Sequence, residues 1–301
     1  MNSSEVNFEA LKDLTNAIEN SEKTSEVLSW MEEISQPSFG LIDSLILTFL
    51  DEMDKNLKDS NTILRALTKL FEFIPHVILP QLKSNAKFPF ALTKYLTSTK
   101  LQDLEGGGFL LLVEIFSAQG FKDVANESFI RALLDSLAFI QDEKIYLSII
   151  NILMGVSQES PNIENDPVLN ASSSHANQRF FSEYIVHALN KATTQQIIKI
   201  LNFLIRVFAF QEIKMAGNQF FYTNDFKVLC DVIYRDVGNT NDEKTREKGL
   251  ECLMMILKTK QYQKEGYRKK EFAELLEELT QEDVSQESKN IAQKILNSKL
   301  I

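Results

Sequence analysis

The sequence predicts an all-α chain in which about fifteen helices stack as a right-handed solenoid. Three observations carry this reading. The 301 residues contain only 10 Gly and 6 Pro, with long runs free of both, so helices propagate with little interruption. From Val6 onward apolar residues recur at helical spacing, and no sustained period-two alternation calls for a strand. The connections between the periodic segments are short.

Taken in order, the first helices are expected near 4–19 and 24–35, the second carrying Trp30 in mid-helix as a packed residue. Pro37 then interrupts, and helices follow near 39–57 and 61–73. Pro75, Pro80 and Pro89 punctuate the next two, near 75–84 and 88–98, because proline lacks the amide and clashes with the preceding turn. Gly106-Gly107-Gly108 serves as a hinge or cap before a helix near 107–118, and Gly120 stops it. Helices near 122–139 and 142–157 lead to the longest non-helical stretch, 158–176, with Pro161, Pro167 and Ser172-Ser173-Ser174; it reads as a mobile surface loop. Apolar helices of the same character flank it, so it is not expected to be a domain boundary. The remaining helices fall near 177–191, 194–210, 223–237, 242–259, 266–280 and 284–298. Units of two or three helices in about forty residues follow the armadillo/HEAT rhythm, and the whole chain, 1–301, is expected to be one armadillo-like domain. That assignment rests on helix rhythm, since the units share no clear residue-level similarity.

A chain with 44% hydrophobic and 25% charged residues can bury a sizeable core. Its net charge of −10, from 42 acidic and 32 basic residues, repels phosphate backbones and anionic lipid surfaces, so neither nucleic acid nor a membrane is an expected partner. The apolar stretches 109–116 and 197–210 are too short to cross a bilayer. Cys230 and Cys252, each inside an apolar helical pattern, form neither a disulfide framework nor a CxxC motif, and the N-terminus lacks the features of a signal peptide. A reduced cytoplasmic setting fits, in which the sequons at Asn2, Asn126 and Asn170 carry no meaning.

Catalytic chemistry is not evident. His76, His175 and His187 lie far apart without an HExxH or paired-Cys context, so no metal site is expected. The glycine triplet lacks the Gly-Lys-Ser/Thr ending of a phosphate loop, and no GxSxG, GxGxxG or kinase-type loop occurs. Glu32-Glu33 and Glu277-Glu278 are adjacent on helices and point in different directions. No cofactor and no enzyme activity are expected.

One local feature runs against the overall charge. Between 258 and 270, Lys258, Lys260, Lys264, Arg268, Lys269 and Lys270 face only Glu265. Most such runs are solvated helix ends, but a cationic cluster on an acidic chain also orients an acidic partner surface. The candidate protein-binding residues are therefore Lys264, Arg268, Lys269 and Lys270, joined by Lys227 and Arg206.

The same region carries a family resemblance. Phe220-Phe221-Tyr222 followed by Thr223-Asn224-Asp225 reads as an aromatic staple and an N-cap supplied by one of the three polar residues. Phe226, Leu229, Cys230 and Ile233 then share one helix face, and Asp231 stands in the same helix. A second helix ends at Thr259 and Tyr262, and the basic turn Tyr267-Arg268-Lys269-Lys270 follows. Each piece alone has an ordinary structural reading. In this order and spacing they resemble the C-terminal part of the WISH/DIP/SPIN (Ldb17-like) leucine-rich domain, a family that binds and activates the actin-related protein 2/3 complex. The likeness extends over 105–280, through 126–140, 144–154, Phe180-Phe181-Ser182-Glu183 and Leu189-Asn190-Lys191, whereas the first hundred residues match only in being helical.

What the resemblance implies is an armadillo-type protein of the cytoplasm and cortical actin cytoskeleton, with a place in endocytosis. It would dock on the side of the complex and favour its active arrangement without a pre-existing mother filament, yielding a linear seed; its partners would be the complex and, indirectly, actin filaments. The chain departs from longer family members in showing no SH3 domain and no proline-rich segment. It also lacks an actin-monomer-binding helix followed by a terminal Trp among acidic residues, so monomer delivery is not implied. The alternative is a generic armadillo-repeat scaffold, of kinase-scaffold or formin-regulatory type, in which the Tyr222–Asp231 likeness is convergent capping and core. The helical reading itself is checked by far-ultraviolet circular dichroism, where a strand content above about a fifth, near the base rate for mixed proteins, would refute it.

Overall fold

Runs of helical periodicity bounded by capping residues become helices here with few exceptions. The computed structural model describes residues 38–53, 57–73, 75–85, 87–98, 113, 115, 126–215, 219–281, 283–298 and 300–301. Among them are fourteen α-helices and no strand, so the all-α expectation holds. The helices expected near 4–19 and 24–35, Trp30 and the glycine triplet lie outside the described residues, as does most of 107–118. The described residues fall into two compact units divided after Ile152.

In the first unit, α1 (Ser38–Glu52) packs on α2 (Leu57–Phe73), α3 (Pro75–Ser84) and α4 (Lys87–Ser98), and α4 on α5 (Glu127–Ser136). Phe49 is fully buried at the meeting of α1 and α4, with edge-on rings of Phe88 at 5.5 Å and Tyr95 at 5.4 Å. The polar end of Tyr95 is satisfied by donating to Asn61 Oδ1 at 3.0 Å. Pro75 opens α3, as expected. Pro80, however, lies inside α3 rather than ending it. In so short a helix the ring removes only the single bond that would run to residue 76. α5 begins one residue after Asn126, whose side chain accepts from the Phe129 amide at 2.9 Å. α6 (Glu143–Glu159) contributes residues to both units.

The second unit contains α7 (Pro167–Ser173), α8 (Gln178–Lys191), α9 (Thr194–Lys214), α10 (Thr223–Asn239), α11 (Glu243–Lys258), α12 (Lys260–Glu265), α13 (Lys269–Gln281) and α14 (Gln286–Asn297). α11 is the central element, touching α9, α10, α12 and α14. Its buried face is Arg246, Gly249, Leu250, Leu253, Ile256 and Leu257, a stripe at helical spacing. A second core cluster is aromatic: Phe181 of α8 meets Phe203 of α9 and Phe220, both at 6.0 Å, and Phe208 meets Phe221 at 5.6 Å. Phe220 and Phe221 are thus core residues of the segment leading into α10.

Three expectations are corrected here. The stretch 158–176 is not a non-helical loop: it carries a 3-10 turn (Ile163–Asn165) and α7. Asn162 and Asp166 cap these two, Asp166 accepting from the amides of Val168 at 3.0 Å and Leu169 at 3.1 Å, and Pro167 starts α7 where a proline's missing amide costs nothing. Thr259 does not simply end a helix; it also caps the short α12, accepting from the Tyr262 amide at 3.2 Å. At the start of α10 the N-cap position belongs to Tyr222, without a side-chain bond, which puts Thr223 and Asp225 in the first helical turn.

Gly249 sets how closely α11 approaches α10. A Cβ there would lie 2.6 Å from Val237 Cγ2, well inside any real carbon–carbon contact. Gly249→Ala is expected to destabilise the protein by about 1–3 kcal/mol in urea denaturation. Combined with Val237→Ala, which vacates the space, it should cost less than the sum of the two single changes. Strict additivity would show that the close approach is not what glycine provides.

Candidate protein-docking site

The basic turn between α12 and α13 is built from two left-handed residues. Gly266, at φ +60°, caps α12 by donating its amide to the Tyr262 carbonyl at 2.7 Å, and Arg268 follows at φ +52°. That conformation is ordinary for glycine and unfavourable for arginine. The Arg268 side chain is held where the backbone sends it. Its Nε pairs with Asp231 Oδ1, and its guanidinium carbon stands 5.2 Å from the Tyr234 ring centroid and 5.9 Å from that of Tyr267. Tyr267 Oη donates to both Asp231 oxygens, at 3.0 and 3.2 Å. Lys227 Nζ also lies 5.7 Å from the Tyr267 ring centroid.

Helix geometry explains the arrangement. Lys227, Asp231 and Tyr234 are spaced i, i+4, i+7 along α10 and share a face, while the turn contributes Tyr267 and Arg268. Together they form a half-exposed band in which two cations alternate with two rings above one carboxylate. The Asp231 hydrogen bond strengthens the Arg268 guanidinium's hold on its proton. With side chains 32% and 40% exposed, the Arg268–Asp231 pair contributes about 1 kcal/mol or less and serves chiefly to orient the guanidinium.

Of the residues singled out in the sequence, the structure brings Lys227 and Arg268 onto the same ring. Lys269 and Lys270 extend from the turn as exposed residues of α13, Lys270 only 3.5 Å from Glu274, and Lys264 is exposed in the last turn of α12. Arg206 has a different role. In α9 its Nη2 binds Asp166 at 2.8 Å and the Ser160 carbonyl at 3.0 Å, and Asp166, fully buried, also accepts from Ser157 Oγ at 2.5 Å. Its charge is committed to fastening the 160–173 segment onto α9.

Sequence reasoning overlooked the rings of Tyr234 and Tyr267 as platforms for the cations; the signal available was the 227/231/234 spacing. It also overlooked neighbouring exposed apolar side chains, Phe180 of α8 and Tyr222 and Val228 at α10. Arg179 stands 5.7 Å from the Tyr222 ring centroid, and burial, then the nearby Glu183, raises the Asp225 carboxyl above its ordinary value.

Other chemistry has little material. Cys230 and Cys252 are buried, and burial pushes the Cys230 thiol up to about 12, so it is neutral across the physiological range. Among the described residues no group of three or more His, Cys, Asp or Glu side chains could hold a metal ion, and no helix is long and apolar enough to cross a membrane.

The contrast between Arg206 and the turn is measurable. Arg206→Ala leaves a buried carboxylate without its partner and is expected to cost about 3–5 kcal/mol in chemical denaturation. Lys269→Ala, at an exposed position, should change stability by about 0.5 kcal/mol or less. Equal effects would mean that Arg206 is as solvated as the turn.

Comparison with known proteins places this geometry in context. Residues 127–272, just under half of the chain, match the family model described as SPIN90/Ldb17, leucine-rich domain. A segment of 104 residues is 30% identical to Protein LDB17 of Saccharomyces cerevisiae, covering 34% of this chain and 21% of the yeast protein. This chain thus spans about a fifth of that relative's length. Among solved structures, an engineered protein aligns with 98% of this chain and 64% of its own length at 15% identity and a TM-score of 0.49. A designed armadillo repeat protein in complex with the peptide (KR)4 aligns over 83% of this chain and 97% of its own at 12% identity and a TM-score of 0.38. The segment that holds α5 through the band at Lys227, Tyr267 and Arg268 is the one that matches the SPIN90/Ldb17 leucine-rich domain.

Proposed function

We propose that this chain docks on the actin-related protein 2/3 complex and activates it, producing linear seed filaments without a pre-existing mother filament. The observation that carries the reading is the family match over 127–272, a range that includes every residue of the cationic band. The docking surface in this proposal is the band Lys227, Tyr267, Arg268 and Tyr234, continued by Lys264, Lys269 and Lys270. Its chemistry suits an acidic partner surface. The rings offer contact area with few rotatable bonds, and the lysines around them steer approach.

Activation then follows from binding preference. A protein that holds the active arrangement of the complex more tightly than the inactive one shifts the population by that difference and no more. Arg268 is fixed before the partner arrives, so little ordering is left for the moment of binding. An all-helical protein-binding scaffold of this kind needs no catalytic group of its own.

Purified protein is expected to shorten the lag of pyrene-actin assembly only when the complex is present, and microscopy should show unbranched filaments. Lys264→Glu, Lys269→Glu and Lys270→Glu together should slow association with the complex by about tenfold or more, most strongly at low salt. Lys294→Glu, in the last turn of α14, serves as a control and should have little effect. Acceleration without the complex, or branches alone from added filaments, would refute the mechanism. An unchanged affinity and salt dependence in the triple variant would refute the surface.

A further inference from the structure

A cleft in the second unit, about 210 Å³ in volume, opens where α9, α11 and α12 meet. Phe208 of α9 and Met255 of α11 form its apolar walls, and Lys258, Lys260 and Glu212 stand at its rim. Two glutamines that line it are almost wholly buried, Gln211 at 9% and Gln261 at 2% exposure. Buried amides are normally satisfied at both ends. Here each is satisfied at one. Gln211 Oε1 accepts the Phe220 amide at 3.0 Å, and Gln261 Nε2 donates to the Phe221 carbonyl at 3.4 Å. These bonds fix both amide groups, leaving Gln211 Nε2 and Gln261 Oε1 without a partner among the described residues and yet not sealed from solvent.

We infer that this cleft is a binding site for a short acidic peptide segment of another protein. A free donor and a free acceptor lining one cleft complement the backbone of one extended residue, whose carbonyl would take the Gln211 N–H and whose own N–H, on the same strand edge, would reach Gln261 Oε1. The volume lies below the roughly 300 Å³ of pockets that enclose drug-sized ligands, which suits one residue of an extended strand and not a cofactor. Lys258 and Lys260, both exposed and neither in an ion pair among the described residues, outnumber Glu212 at the rim and select carboxylate side chains. Screening over about 10 Å at 0.1 M salt lets this local excess outweigh the negative charge of the whole chain. The site uses none of the residues of the proposed docking band, so it stands or falls separately from the proposed function.

The test is fluorescence anisotropy with a fluorescein-labelled peptide, Glu-Asp-Leu-Glu-Asp, against the full chain at about 0.1 M salt. Saturable binding is expected, weakened about tenfold by N-methylation of the central leucine's backbone amide and lost when Lys replaces the acidic residues. Gln211→Glu keeps the oxygen that holds Phe220 while removing the free donor, and should weaken binding by about tenfold or more. Lys258→Gln with Lys260→Gln should flatten the salt dependence. In the unaltered protein, titration should shift the side-chain amide resonance of Gln211, a readout independent of any variant's folding. No binding, equal binding of the lysine peptide, or an unmoved Gln211 resonance would overturn the inference.

Discussion

The second unit depends on one buried cation. Arg246, 7% exposed in the first turn of α11, donates through Nε to the Val237 carbonyl at 3.3 Å and through Nη2 to that of Thr240, while its Nη1 pairs with Glu243. A positive charge against the C-terminal carbonyls of α10 satisfies groups that have no helical partner and complements the helix dipole. Glu243 in turn accepts from the Ser285 amide and from Ser288 Oγ at the start of α14. One guanidinium therefore joins the end of α10, the beginning of α11 and the beginning of α14. With that end of α10 anchored and Gly249 permitting close approach, the rotation of α10 is set, and with it the direction in which Lys227, Asp231 and Tyr234 point.

Most helices were legible because their signals are local. Spacing of apolar residues and nearby caps place the boundaries of α3, α8 and α11 within a residue or so. Where local reading failed, the deciding contact was distant or the element short. The segment after α6 looked like a loop by composition, but a bond to Arg206, 40 residues away, holds Asp166 buried and lets it cap α7. At six residues α12 has too little periodicity to register, and Thr259 looked like a terminator because it is one. Pro80 misled in the opposite direction, since a single lost bond in α3 is tolerated.

The candidate site was legible as charge and illegible as geometry. Lys227 and Arg268 are visible as cations in any reading, but that they share the Tyr267 ring depends on α10 and the turn meeting across 36 residues of chain. Arg206 shows the converse. Its charge is equally visible, and only the fold reveals that Asp166 has already neutralised it. Counting basic residues thus locates the region and overstates the number available to a partner. The two glutamines of the cleft carry no charge and sit at core positions, so composition offered no reason to notice them.

Thr259 has a consequence for how the protein opens. Its hydroxyl donates to the Ile256 carbonyl at 2.7 Å and accepts the Tyr262 amide at 3.2 Å, so one oxygen closes α11 and starts α12. Fraying of the last turn of α11 releases the cap of α12 at the same moment, and melting of α12 leaves the end of α11 unsatisfied. The two helices accordingly share one opening event, and amide exchange along both tracks a common free energy. Because Gly266 and Arg268 follow directly from α12, the basic turn keeps its shape only while the core helix α11 remains closed, so that core stability governs how long the exposed cations stay in position.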